Sequence, residues 1–277
     1  MDWEHDGITN RVHYADCFDL MGWLYRQGVQ VDMIATDMPY GVTACSWDVL
    51  VDFDQWWQAV KRVLKPRGVM LTTATEPFAS LLRVSNLDWY KYDWVWEKTI
   101  AANFTNAKLK PLARHEDVLV FSNGATANNN PSNMNYYPQD LVYNPKIWKR
   151  PSKYLTEHRY TRPSHKLKRI IEYENYPDDM LRFPNGNNHS VHPTQKPSAL
   201  YEYLIKTYTQ PGELVLDPFC GSGTTGMAAR KTGRRFILGD SSREYVDIAR
   251  QRLRNSDPFQ ATETDGVKQL SLFASAD

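Results

Sequence analysis

Two short segments concentrate the chemistry available to this chain: Asp37-Met38-Pro39-Tyr40, early, and Asp217-Pro218-Phe219-Cys220-Gly221-Ser222-Gly223-Thr224-Thr225, late. The first offers the Asp37 carboxylate and the Met38 backbone carbonyl in an extended turn, because Pro39 drives the residue before it away from helical geometry. Two such acceptors suit an amino group on an aromatic ring. The lone pair of that nitrogen is delocalised, so both N–H groups must be held before it can become tetrahedral and face an electrophile. Tyr40 can stack on the ring. The second segment suits a different guest. Gly221 and Gly223 allow a ligand to approach the backbone closely, since glycine adopts conformations that a β-carbon forbids. The following helix offers free N–H groups at its N-terminus, which favour an anionic group such as a carboxylate. The hydroxyls of Ser222, Thr224 and Thr225 fit that role, and Asp217 can orient the loop. Asp240 lies 23 positions after Asp217, close to the ~20-residue spacing at which an acid binds ribose hydroxyls in nucleotide-binding α/β folds.

Each segment alone has a plainer reading, as a tight strand-to-helix connection or a proline-containing turn. No Gly-Lys-Ser/Thr follows the glycines, which argues against a phosphate-binding loop. Their spacing also differs from the dinucleotide oxidoreductase fingerprint, the main rival.

Both segments follow apolar runs that read as buried strands, 31–35 and 214–216, and strand-end loops are where open α/β sheets bind ligands. Further strands are expected at 11–15, 69–74, 92–96, 117–121 and 235–238. Helices are expected at 18–25, 53–64, 198–208, from 224 and at 243–253. Pro66-Arg67-Gly68 reads as a helix stop and turn, and Gly233 as the stop of the helix that begins near Thr224. From Gly124 to about Val191 periodicity fades, and Asn, Pro, Tyr and Lys accumulate. So long an irregular stretch within a compact fold is usually functional or mobile. We read 125–190 as an inserted recognition region, with one helix around 166–173, between parts 1–124 and 191–256 of one larger domain. Residues 257–277 read as a weakly ordered tail.

At 277 residues the chain can bury a substantial core. Its net charge is only +1, but the charge is uneven. Across 142–170, nine basic residues (Lys146, Lys149, Arg150, Lys153, Arg159, Arg162, Lys166, Lys168 and Arg169) accompany one acid, Glu157. That span is +8, which leaves −7 elsewhere and suggests one surface for a polyanion. Tyr143, Trp148, Tyr154 and Tyr160 are interleaved with the basic residues. Lys and Arg would make salt-sensitive phosphate contacts, and Arg, Asn or Gln could read base edges; a solvated basic face is the alternative. Cys17, Cys45 and Cys220 are too few and too scattered for a disulfide framework or a zinc site. No run approaches the ~20 apolar residues of a membrane span, and no signal-peptide pattern is present. An intracellular, cytoplasmic protein is expected.

Together the two segments resemble the motifs of the amino-methylating DNA methyltransferases. Asp37-Met38-Pro39-Tyr40 is similar to the Asp-Pro-Pro-Tyr of adenine-N6 enzymes, whereas cytosine-N4 enzymes more often begin with Ser. Met38 departs from the pattern where the expected contact is a backbone carbonyl. Target motif first, cofactor motif later and a recognition region between them resembles the beta class. The resemblance implies a Rossmann-like S-adenosylmethionine-dependent fold, α/β, with a mixed, mainly parallel sheet and an inserted recognition region. It also implies duplex DNA as substrate, a target base flipped from the stack and no metal. Asp37, Met38, Pro39 and Tyr40 would hold the target. Asp217, Phe219, Gly221, Ser222, Gly223, Thr224, Thr225 and Asp240 would hold S-adenosylmethionine. Tyr14-Ala15-Asp16-Cys17 resembles a segment whose acid, here Asp16, helps hold the cofactor's adenine. His192-Pro193-Thr194-Gln195-Lys196-Pro197 resembles one lining the methionine end, which adds His192, Thr194 and Lys196. Trp96-Glu97-Lys98 and Arg114-His115-Glu116 match looser patterns near the target pocket. The nine basic residues become the DNA-binding set. Cytosine-N4 methylation, methylation of RNA or a protein amide, and a non-catalytic DNA-binding protein with a retained cofactor fold remain alternatives. A homodimer and a cognate restriction endonuclease stay open as partners.

Overall fold

The computed structural model describes residues 7–41, 49–102, 104–149, 168–185 and 196–255. They fall into two compact units, the smaller at 138–178 and the larger made of the rest. Among the described residues ten strands follow one another: β1 (Arg11–Tyr14), β2 (Val31–Thr36), β3 (Leu64–Ala74), β4 (Tyr90–Ala102), β5 (Ala113–Phe121), β6 (Val142–Lys149), β7 (Lys168–Glu174), β8 (Met180–Arg182), β9 (Leu214–Asp217) and β10 (Arg235–Asp240). Eight of them form the sheet of the larger unit in the order β1-β10-β9-β2-β3-β5-β4-β8. Only β5 runs against its neighbours, so the sheet is mixed and mainly parallel.

Helices α1 (Cys17–Arg26), α2 (Phe53–Val63) and α3 (Phe78–Ser85) pack into one apolar cluster. Helices α4 (Ser198–Tyr208), α5 (Thr224–Lys231) and α6 (Arg243–Asn255) pack into another. The sheet lies between them, as in other α/β folds with both faces covered. Helix starts follow local chemistry. Asp16 caps α1 by accepting the Phe18 N–H at 2.8 Å, and Asp52 caps α2 by accepting that of Gln55 at 3.0 Å. Helix α2 then buries Trp56, Trp57, Val60 and Val63 at helical spacing.

Strands β2 and β9 are buried along their whole length, which explains why they read as mostly apolar runs rather than as alternating ones. They lie side by side, yet the chain leaves them in opposite directions. From β2 it passes through α2 to β3, and from β9 through α5 to β10. This reversal opens a crevice at their C-terminal ends. At the other end Asp32, nearly inaccessible to water, accepts the Leu214 N–H at 3.0 Å and pairs with Lys65 at 2.7 Å. One carboxylate thus pins β2 to β9 and to the start of β3.

Some expectations need correction. Pro66-Arg67-Gly68 does not form a turn, because β3 begins at Leu64, directly after α2. A β-carbon at Gly68 would lie 2.9 Å from the Asp32 carbonyl, so this glycine permits close approach of β2 and β3. The pairing of those strands shifts register between Val31 and Met33. Strands β4 and β5 extend well beyond 92–96 and 117–121. The helix expected around 166–173 is instead a strand from Lys168 onward, β7, antiparallel to β6. Its run of Ile170, Ile171 and Tyr173 is β-branched and aromatic, a composition that favours a strand once a partner is available. The separate unit is narrower than 125–190. Met134 is buried in the core of the larger unit, and β8 pairs with β4 there. The tail at 257–277 lies outside the described residues. Among the described residues, no helix is long and apolar enough to cross a membrane.

Replacing Asp32 by Ala should leave the buried Leu214 N–H without a partner and lower stability by ~1–3 kcal/mol. Thermal unfolding followed by circular dichroism reads this as a fall of several degrees. An unchanged midpoint would mean that the β2–β9 pairing does not depend on Asp32.

Candidate active site

A cleft of about 440 Å³ opens at the C-terminal ends of β2 and β9, lined by both chemical segments together with Asp16 and Asp240. The strands deliver the two loops side by side. Where β2 ends, the Thr36 hydroxyl donates to Asp217 Oδ1 at 2.8 Å, in a buried setting.

On the β9 side, Asp217 organises its own loop. Oδ1 also accepts the Phe219 N–H at 3.1 Å, and Oδ2 accepts the Thr225 hydroxyl at 2.6 Å. Burial raises the Asp217 pKa to about 7; the hydroxyl and N–H bonds oppose this, and the nearby Asp37 charge adds to it. Gly221 (φ +49°) and Gly223 (φ +82°) take left-handed conformations, and a β-carbon at Gly223 would press on Ala249 at 3.0 Å. Asp240 accepts the Gly221 N–H at 2.9 Å and the Ser242 N–H at 2.8 Å, so it shapes the glycine turn. The Ser222 hydroxyl is held by Arg252 Nη1 at 2.8 Å. Cys220 is buried there, and burial first, with Asp217 and Asp240, drives its thiol far up, away from reactivity.

These groups fit a nucleoside carrying an amino-acid tail. A β-carbon at Gly221 would meet nothing within 4 Å, so the turn faces open space. The start of α5 offers N–H groups to a carboxylate. Asp240 and Asp16 could supply acceptors for a ribose and a base, and Phe219 apolar surface. Asp16, Phe219, Thr224 and Thr225 all line the cleft.

On the β2 side, Asp37 is the hub. Its Oδ1 lies 2.9 Å from the Tyr40 hydroxyl and also accepts from Thr73 Oγ1. Its Oδ2 accepts from Lys196 Nζ at 2.7 Å. Tyr40 stacks on Phe78 with centroids 4.9 Å apart. Burial, then the charges of Asp37 and Glu116, raise the Tyr40 pKa, so the phenol stays a donor. Met38 sends its side chain into the core, and its N–H donates to Thr72 Oγ1 at 3.3 Å. Pro39 lines the cleft beside it. Behind Asp37, Lys196 also lies 3.5 Å from Glu116 Oε2, while Glu116 Oε1 pairs with Lys98. Burial lowers the Lys196 pKa, but Asp37 and Glu116 outweigh it, and the net shift is upward.

The structure therefore joins Asp37, Met38, Pro39 and Tyr40 with Asp16, Asp217, Phe219, Gly221, Ser222, Thr224, Thr225 and Asp240 around one cleft. Lys196, expected at the methionine end, also lines the cleft but bonds to Asp37. His192 and Thr194 lie outside the described residues, as do Arg150, Lys153, Arg159, Arg162 and Lys166. In the smaller unit Lys146 pairs with Glu174, and Lys149, Lys168 and Arg169 occupy the paired ends of β6 and β7. Sequence reasoning missed Thr36, Thr73 and Tyr201, the last of which also lines the cleft. A hydroxyl residue at or next to the end of an apolar strand was the available signal for both threonines. For Tyr201, inside α4, there was none.

A family model described as DNA methylase, of the N6/N4 type, matches residues 31–251. The type II methyltransferase M.HpaI of Haemophilus parainfluenzae is 29% identical over 239 residues, covering 80% of this chain and 68% of its own. The crystal structure of an M1.HpyAVI–SAM complex superposes with a TM-score of 0.58 at 26% identity, covering 88% of this chain and 98% of that one. The PvuII DNA methyltransferase, titled cytosine-N4-specific, shares the fold with a TM-score of 0.61 at 17% identity, covering 92% and 89% of the two chains.

The raised Asp217 pKa carries a sign. Folding favours the protonated form, so this contribution to stability is full below about pH 4 and lost as pH rises through about 7. Asp217→Asn, which has no charge to bury, should gain in thermal midpoint relative to wild type between about pH 5 and pH 8. A difference that stays constant with pH would contradict the raised pKa.

Proposed function

Because the chain belongs to the N6/N4 DNA methylase family, and so is an S-adenosylmethionine-dependent DNA amino-methyltransferase, we propose that its target is the N6 amino group of a flipped adenine. S-Adenosylmethionine supplies an electrophilic methyl group when bound. The chain's own work is positioning and electrostatics. Asp37 and the Met38 carbonyl accept the two N–H bonds of the target, which localises the nitrogen lone pair. The Asp37 carboxylate also stabilises positive charge that grows on that nitrogen as the methyl arrives. Tyr40 and Thr73 fix the orientation of the carboxylate by bonding to Oδ1. Asp217, Asp240, Gly221 and Gly223 shape the cofactor turn, with Thr225 braced against Asp217. Asp16 and Lys196 complete the cleft walls, and the family resemblance assigns His192 and Thr194 to binding the methionine end of the cofactor.

A single observation carries the reading: the Asp37 loop and the cofactor turn open into the same cleft. Asp at the head of the target loop supports adenine, since the cytosine-N4 pattern more often begins with Ser. The unit at 138–178 serves as the DNA recognition region, through Lys146, Lys149, Lys168 and Arg169 on its ribbon and the basic residues between them. A two-stranded β-ribbon has the width to enter a major groove. The likeness to a type II methyltransferase supports a cognate restriction endonuclease as partner, with both acting on cytoplasmic DNA.

Incubation with labelled S-adenosylmethionine and unmethylated duplex DNA, followed by digestion and mass spectrometry, should yield N6-methyldeoxyadenosine. Asp37→Ala should lose at least ~100-fold in turnover while cofactor affinity by calorimetry stays near wild type. N4-Methyldeoxycytidine would overturn the base assignment. Equal loss of turnover and cofactor affinity would overturn the division of labour between the loops.

A further inference from the structure

The Asp37 carboxylate has a conflict to resolve. It must receive an amino group that becomes cationic, yet its Oδ2 already holds the Lys196 ammonium at 2.7 Å. An ammonium kept there opposes the charge that the reaction creates. A second carboxylate stands ready on the far side of the same ammonium. Glu116 Oε2 is buried, accepts no hydrogen bond among the described residues, and has the Lys196 ammonium 3.5 Å away as its ion-pair neighbour. A buried carboxylate oxygen without a donor is costly and uncommon in folded proteins.

We propose that Glu116 is a positioning residue that takes over the Lys196 ammonium from Asp37 as the target amino group enters. The inference rests on the amino-methyltransferase reading of the Asp37 loop and concerns how that loop is freed. Glu116 Oε1 is anchored by Lys98, so the receiving oxygen is held in place. Lys98 and Glu116 come from neighbouring strands, β4 and β5, where Trp96 pairs in register with Glu116 and Lys98 lies over the Trp96 ring at 5.4 Å. Lys196, Glu116 and Lys98 are each only 12–13% exposed. With Asp37 they make two carboxylates and two ammonium groups, so the cluster stays neutral overall when Lys196 moves, and the carboxylate left without an ammonium is the one that meets the growing positive charge. Afterwards the oxygen that Lys196 vacates faces the target nitrogen. Tyr40 and Thr73 stay on Oδ1 throughout and keep the carboxylate from rotating.

The test is a double-mutant cycle on the full chain, with kcat and the KM for duplex DNA measured separately at saturating S-adenosylmethionine. Glu116→Gln should lower kcat about tenfold with little change in KM, because the ammonium then stays on Asp37. In a Lys196→Ala background the same substitution should cost nothing further. Lys98→Met/Glu116→Gln removes both buried charges together and guards against misfolding from a stranded ammonium; it should show the same dependence on Lys196. Wild-type kcat in Glu116→Gln, or losses that multiply with Lys196→Ala, would overturn the inference and leave the enzyme's function intact. A wild type that methylates no DNA amino group would instead remove the reading beneath it, and the inference with it.

Discussion

The hydrogen bond from Thr36 Oγ1 to Asp217 Oδ1, 2.8 Å long and shielded from water, ties together two strands whose connections diverge. The chain departs from β2 and β9 in opposite directions, so nothing in local sequence keeps their ends in step. Asp32 fixes them at one end through the Leu214 N–H, and Thr36 fixes them at the other through Asp217. Between these ties run the paired residues Met33 with Val215 and Ile34 with Leu216. The two loops that follow are therefore placed relative to each other by a buried, rigid frame. A methyl donor and its acceptor need that rigidity, because misplacement by an ångström is expensive in rate.

Charge inside the cleft is arranged on the same frame. Asp217 is buried, with no ion-pair partner among the described residues, and its pKa rises to about 7, whereas Asp37 is paired with Lys196. Two acids at the ends of neighbouring strands thus have opposite surroundings. Asp217 serves as a hydrogen-bonding bracket for backbone and hydroxyls. Asp37 is ion-paired with Lys196 beside the space where the proposed reaction would develop cationic character. Glu116 and Lys98 extend the charge balance behind it, out of contact with the cofactor side.

Much of this was legible in the sequence because strand ends and their loops are contiguous. Asp37 just after β2, Asp217 at the end of β9, Gly221 and Asp240 each sit within a few residues of an apolar run, and they line one cleft. What could not be read was long-range. Lys196 is 159 positions from Asp37, and the family pattern placed it at the methionine end, while its nearest bond is to the target-side acid. Local pattern reads β7 as a helix because its identity depends on pairing with β6, a partner 32 residues away at the Val142–Glu174 end and beyond any local window. Pro66-Arg67-Gly68 carries a turn signature, yet it lies within β3, at an irregular stretch of the pairing where Gly68 comes close to the Asp32 backbone of β2.

A structure of the protein with an S-adenosylmethionine analogue and a duplex containing its target would test the central claim directly. The account predicts the analogue's transferable group ~3–3.5 Å from an exocyclic amino nitrogen, with that nitrogen held by Asp37 and the Met38 carbonyl and the ribose beside Asp240. A base seated away from the Asp37 loop, or a cofactor bound outside the turn after β9, would contradict it.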